Sequence, residues 1–113
     1  MELDISNKLT NEEHKIKIDK DHSYVVDRGK NTAIKIMHID KEKDLDEFAK
    51  NDKVIKLALG EDAFNYIDSK NYPISQINTI VEAIMAVITE IPFETIVKEA
   101  EKSAKHALNT FQK

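Results

Sequence analysis

The chain has 113 residues, a net charge of −4 and 34% charged residues. This length predicts a single domain with a modest core, and the acidic balance offers no overall basic footprint for nucleic-acid backbones. The absence of cysteine excludes disulfides, thiolate catalysis and cysteine-ligated zinc.

The first 13 residues alternate weakly at Leu3 and Ile5 and then become polar, which predicts either a short strand or a flexible arm. They lack the basic segment and apolar core of a secretory signal. The apolar run 74–91 carries Ser, Gln, Asn and Glu, which makes it too polar for a membrane span. We therefore expect a cytoplasmic protein without a membrane partner.

Residues 14–28 predict a β-hairpin. Ile16 and Ile18 alternate with lysines, so one face of the first strand is apolar and the other is charged. The polar residues 19–22 supply the turn, and Gly29 ends the second strand. Because an isolated hairpin is marginally stable, we expect it to pack on helices.

A first helix is predicted over 33–39, within a helical core that extends from residue 30 to residue 91. Asn31 or Thr32 would provide its N-cap, with Ile34 and Met37 facing inward. The same residues also alternate between apolar and polar, so a third strand is the competing interpretation.

A second apolar face begins at Leu45 and Phe48. The polar pair 51–52 predicts a break and a fresh N-cap, followed by a helix over 53–59 that ends at Gly60.

Two further helices are predicted over 62–71 and 74–91. Ser75 is the expected cap of the longer one, and Pro92 ends it because a proline disfavours helical geometry in the preceding residue. The inward side chains of the shorter helix are Ala63, Phe64 and Ile67. The main apolar stripe of the longer helix comprises Ile77, Ile80, Val81, Ile84, Met85 and Ile88.

A last helix is predicted over 93–111, with apolar residues in a heptad-like spacing. Most of these residues are alanines, so the helix would bury little area and could detach. The spaced residues are Phe93, Val97, Ala100, Ala104, Ala107 and Phe111. The predicted fold class is therefore α+β and mainly α: a single domain of a short N-terminal β-hairpin followed by a small bundle of about four to five helices.

Catalytic and metal-binding signatures are missing from the sequence. The four histidines show no i,i+4 pair, no serine lies in a Gly-x-Ser-x-Gly turn, and two glycines cannot form a phosphate-binding loop. We therefore predict no catalytic residue, no metal site and no cofactor, and we expect that the protein is not an enzyme.

The long helix carries more apolar surface than one core-facing stripe requires. Val87, Ile91 and Phe93 form this surplus, and such a patch marks an interface when it is exposed. The residues predicted to bind a partner are Ile84, Met85, Val87, Ile88, Ile91, Phe93 and Val97.

Three segments together resemble the tail assembly chaperones of long-tailed bacteriophages. They are YVVDRGKNTAIKIM (24–37), LGEDAFNYI (59–67) and YPISQINTIVEAIMAVITEI (72–91). The resemblance covers more than half of the chain and consists of hydrophobic patterns with capping and small residues. It excludes the N-terminal arm and the last helix.

The resemblance implies a protein that coats the tape measure protein, a very long helical phage chain, and keeps it soluble until the tail tube forms around it. It also implies self-association, absence from the mature virion, and a longer form made by frameshifting.

Two other functions compete with the chaperone hypothesis. A structural virion or head–tail component would use the same apolar face in a permanent subunit contact. A small phage or bacterial regulator, antitoxin-like, would bind nucleic acid or protein. Its basic face would consist of Lys15, Lys17, Lys20, Arg28, Lys30 and Lys35.

Overall fold

The computed structural model describes residues 1–9 and 12–99, and it has the predicted α+β, mainly helical architecture. A short 3₁₀ turn precedes a two-stranded hairpin and four α-helices, and residues 93–99 are again helical. The elements are the 3₁₀ turn Ser6–Lys8, β1 Lys15–Asp19, β2 His22–Val25, α1 Lys30–Asp40, α2 Glu47–Leu59, α3 Glu61–Ser69 and α4 Ile74–Thr89.

The hairpin is antiparallel, as predicted. Ile16 pairs with Tyr24, and the register becomes irregular between Lys17 and Asp19. Ile16 and Ile18 are half-buried against the core, whereas Lys15 and Lys17, which alternate with them, are exposed. The alternation in the sequence therefore placed the apolar face of β1 correctly.

Helix α1 excludes the alternative of a third strand, but its predicted cap is wrong. The helix begins at Lys30, so Asn31 and Thr32 both lie inside its first turn. The carboxylate of Asp27 accepts hydrogen bonds from the Thr32 hydroxyl at 2.6 Å and the Gly29 amide at 2.9 Å. These bonds lower the pKa of the Asp27 carboxyl and fix the start of the helix from outside it.

The inward face of α1 also differs from the prediction. Ile36 and Ile39 are buried, whereas Ile34 and Met37 are 42% and 60% exposed. Both pairs have a spacing of three residues, so the sequence offered two equivalent stripes. Packing against α2 selected the other stripe.

Helix α2 is continuous through 51–52, where the sequence predicted a break. Asp46 caps it by accepting the Ala49 amide at 2.8 Å, and the Asn51 side chain donates to Asn78 of α4 at 3.1 Å. Asn51 therefore bridges two helices, and the polar pair 51–52 does not end α2. Phe48, which we expected on the apolar face, is 56% exposed.

Helix α4 begins at Ile74 after Pro73, and no side chain caps its N-terminus. The predicted Ser75 cap is therefore wrong. The core lies between α4, α1, α2, α3 and the hairpin. Its buried apolar side chains are Val26, Ile36, Ile39, Val54, Ile55, Ala58, Ile67 and Ile84.

The last predicted helix is described only through residue 99. Residues 93–99 are helical, and Phe93 and Val97 lie within them. The predicted contact positions Ala100, Ala104, Ala107 and Phe111 lie outside the described residues.

Candidate partner-binding surface

The chain turns sharply after Thr89, so α4 ends before residue 91 and before Pro92, where the sequence predicted its end. The Thr89 hydroxyl donates to the Met85 carbonyl at 2.6 Å, and Glu90 adopts a left-handed conformation with φ of 60°. The carbonyl of Pro92 then accepts the amides of Thr95 and Ile96, which starts the next helical segment. This turn places residues 91–93 beside the last turns of α4.

An open groove of about 510 Å³ lies at this turn, and we call it the α4-end groove. Its apolar side chains come from the end of α4 and from the turn, and its polar side chains come from the segments that flank the hairpin and from Glu90. The apolar members are Ala86, Val87, Ile91, Pro92 and Phe93, and the polar members are Glu12, His14, Arg28 and Glu90.

Arg28 connects the two sides of the polar rim. Its Nη2 donates to the Glu90 carboxylate at 2.6 Å, and Nη1 lies 3.5 Å from the Glu12 carbonyl. Its Nε is buried and has no hydrogen-bond partner among the described residues. Because Glu90 is largely exposed, this ion pair contributes little stability, about 0–1 kcal/mol. Its main effect is to fix the charged side of a groove whose other side is apolar.

The structure brings together three of the predicted partner-binding residues. Val87, Ile91 and Phe93 line the same groove, and Ile91 and Phe93 are 41% and 40% exposed. Ile88 lines an adjoining depression that shares Arg28 with the groove.

The other three predicted residues lie elsewhere. Ile84 is 0% exposed and lies in the core, so it offers no surface to a partner in this conformation and the prediction for it does not fit the structure. Met85 lines a cleft between α1, α2 and α4 together with Met37 and Val81. Val97 is half-buried in the helical segment 93–99 and lines no groove described here.

A polar cluster joins the hairpin to α3. The Tyr66 hydroxyl donates to the Asp19 carboxylate, and His22 Nδ1 lies 2.8 Å from the same carboxylate. The rings of His22 and Tyr66 stack with centroids 3.6 Å apart. The Tyr66 bond, followed by the His22 bond, holds the pKa of Asp19 well below its usual range, and the carboxylate in turn raises the pKa of Tyr66. The cluster fixes the tip of the hairpin.

Two structural features are absent from the described part of the chain. Residues 1–9 and 12–99 contain no group of three or more His, Asp or Glu side chains that could hold a metal ion. No helix among them combines the length and apolar character needed to cross a membrane.

Sequence reasoning missed the polar rim of the α4-end groove. Arg28 and Glu90 are 62 positions apart, and no local pattern links them. The surplus of apolar residues after Met85 was the signal that pointed to the apolar side of the groove.

Comparison of the chain with protein-family models, with curated proteins and with solved structures finds no match.

Proposed function

We propose that this protein is a non-enzymatic, phage tail assembly chaperone that binds the tape measure protein and keeps it soluble during tail assembly. The observation that supports this function best is the exposure of Ile91 and Phe93 beside Val87 in the α4-end groove. The resemblance of segments 24–37, 59–67 and 72–91 to tail assembly chaperones indicates that the partner is the tape measure protein.

The groove has the character that a helical partner needs. An amphipathic helix can place apolar side chains against Val87, Ile91 and Phe93 while its polar residues meet Arg28 and Glu90 at the rim. The groove is open and its apolar members are few, so a single contact is weak. Weak contact suits a chaperone that must release its partner when tail-tube subunits arrive.

Many copies acting along one long chain would compensate for weak single contacts. Effective concentration rises when neighbouring copies bind adjacent stretches of the same partner, and self-association strengthens this effect. We therefore propose a protein that acts in the host cytoplasm, associates with itself on the tape measure protein, and is absent from the mature virion.

Co-expression with the tape measure protein encoded downstream tests the proposal. We expect the tape measure protein to move from the insoluble to the soluble fraction and to co-purify with this chain. An unchanged solubility would contradict the proposal. Recovery of this chain in purified virions would favour a structural component instead.

A matched pair of variants tests whether the α4-end groove is the binding surface. Phe93→Ser removes an aromatic side chain from the α4-end groove, whereas Phe48→Ser removes one that is similarly exposed on α2. We expect Phe93→Ser to lower the soluble yield of the tape measure protein and Phe48→Ser to leave it unchanged. Equal losses from both variants would show that the groove is not the binding surface.

A further inference from the structure

The outer edge of β1 has unpaired main-chain groups. The His14 carbonyl accepts the Val26 amide at 2.8 Å, which makes these residues a hydrogen-bonded pair of the antiparallel ladder. Such pairs alternate along a ladder, so Ile16 also exchanges hydrogen bonds with β2, and Lys15 and Lys17 direct their N–H and C=O groups away from it. Within the described residues, these four groups have no hydrogen-bond partner.

An apolar groove of about 250 Å³ lies between β1 and α4. Ile16 and Ile18 form its strand side, and Ile80 and Ala83 form its helix side. Lys17 also lines the groove, although the alternation of β1 places its side chain on the exposed face. The unpaired edge of β1 and this apolar groove are therefore adjacent.

The exposed face of β1 carries two lysines, and the exposed acidic residues Glu12, Glu13 and Asp21 flank the strand. Lys15 and Lys17 are exposed on the outer face of β1, and Lys20 follows in the turn. A strand added along β1 would direct alternate side chains toward the groove and toward the lysine-bearing face. Apolar residues suit the first set of positions and acidic residues suit the second.

We propose that β1 binds an extended acidic peptide segment of a partner protein as a third strand of the sheet. Lys15 and Lys17 supply up to four main-chain hydrogen bonds, the groove beside α4 receives alternate apolar side chains, and the lysines attract the acidic ones. This site shares no lining residue with the α4-end groove, so it does not depend on the function proposed above.

Fluorescence anisotropy with synthetic peptides tests the recognition. The probe is a labelled peptide of about eight residues in which valine and glutamate alternate, long enough to span a typical strand. One comparison peptide carries lysine in place of glutamate, and another has the same composition with all glutamates in one block. We expect binding of the alternating acidic peptide and at least about tenfold weaker binding of both others. Equal binding of all three, or no binding, would overturn the proposal.

Two proline variants test whether the peptide binds along the outer edge of β1. Lys17→Pro removes an outward amide while leaving the hairpin ladder intact, and Ser23→Pro does the same on the outer edge of β2. We expect Lys17→Pro to weaken binding by at least about tenfold, because it removes one main-chain hydrogen bond and one lysine charge, and Ser23→Pro to leave binding within about twofold. Equal losses would place the peptide elsewhere.

If Lys17→Pro does not fold, a third variant and a hydrogen-exchange measurement still test the proposal. Ala83→Met keeps a good helix former in α4 and fills the groove, so it should also weaken peptide binding. In the native protein, hydrogen exchange at the amides of Lys15 and Lys17 should slow when the peptide is added. Slowing at Ser23 and Val25 instead would overturn the proposal. Slowing that grows with protein concentration in the absence of peptide would also overturn it, because the occupant would then be a second copy of this chain.

Discussion

Truncating Ile84 and Ile91 separately distinguishes the core of α4 from its binding surface. Both residues belong to one apolar sequence pattern, but Ile84 is 0% exposed and Ile91 is 41% exposed. Ile84→Ala creates a cavity in the centre of the core, whereas Ile91→Ala removes atoms that already contact solvent. The two variants should therefore differ in their free energy of unfolding.

The expected magnitudes follow from these exposures. A buried isoleucine replaced by alanine costs about 2–5 kcal/mol because the cavity adds to the lost transfer free energy. Full burial of an isoleucine side chain contributes about 1.5–3 kcal/mol, of which Ile91 realises only roughly three-fifths. Ile91→Ala should therefore cost about 1 kcal/mol. A domain of this length has a total stability of roughly 6–17 kcal/mol, so both variants should fold.

Urea unfolding followed by far-ultraviolet circular dichroism measures both values, since the chain lacks tryptophan. With a slope of about 1–3 kcal/mol per molar urea, a loss of 3 kcal/mol lowers the midpoint by roughly 1–3 M. The slope itself should be unchanged in both variants. If Ile91→Ala destabilises the protein as strongly as Ile84→Ala, then Ile91 is buried and the α4-end groove is not an open surface.

Three further predictions concern the polar contacts and the turn between α2 and α3. Tyr66→Phe removes the hydroxyl that lowers the pKa of Asp19, so the stability difference from the native protein should be fully present just above the unfolded pKa of about 3.9. It should shrink progressively as the pH falls from that value toward the much lower folded pKa of Asp19; a difference independent of pH in urea titrations would contradict this. Asp27→Ala removes the acceptor at the start of α1 and should cost about 1 kcal/mol in thermal unfolding, with Asp27→Asn costing less because its amide oxygen still accepts; an equal cost for both would exclude an acceptor role. Gly60→Ala should cost about 1–3 kcal/mol through backbone strain alone, because φ is 95° there and no atom lies within 4 Å of the added Cβ; an unchanged unfolding midpoint would refute the strained geometry.

The sequence determined the element types and most of their order. The alternation of Ile16 and Ile18 with lysines fixed the hairpin and its inner face, because a strand has a period of two and only one face could be apolar. The spacing of apolar residues after Pro73 fixed α4, and the surplus at Ile91 and Phe93 anticipated exposed apolar surface.

Where the sequence offered two equivalent apolar faces for one helix, the tertiary structure decided which of them is buried. Helix α1 contains two apolar pairs with the same spacing, and packing against α2 buried Ile36 and Ile39 instead of Ile34 and Met37. Asn51 lies inside α2, where its side chain donates to Asn78 of a helix distant in sequence.

The candidate site also has one part that is local in sequence and one part that only the tertiary structure assembles. Its apolar side is local in sequence, since Val87, Ile91 and Phe93 lie within seven residues of one another, and the surplus of apolar residues over the core-facing stripe pointed to them. Its polar rim joins the hairpin to the end of α4 through Arg28 and Glu90, and only folding brings such distant charges within 2.6 Å. Periodicity reports which face of an element is apolar, whereas burial depends on which other elements cover that face.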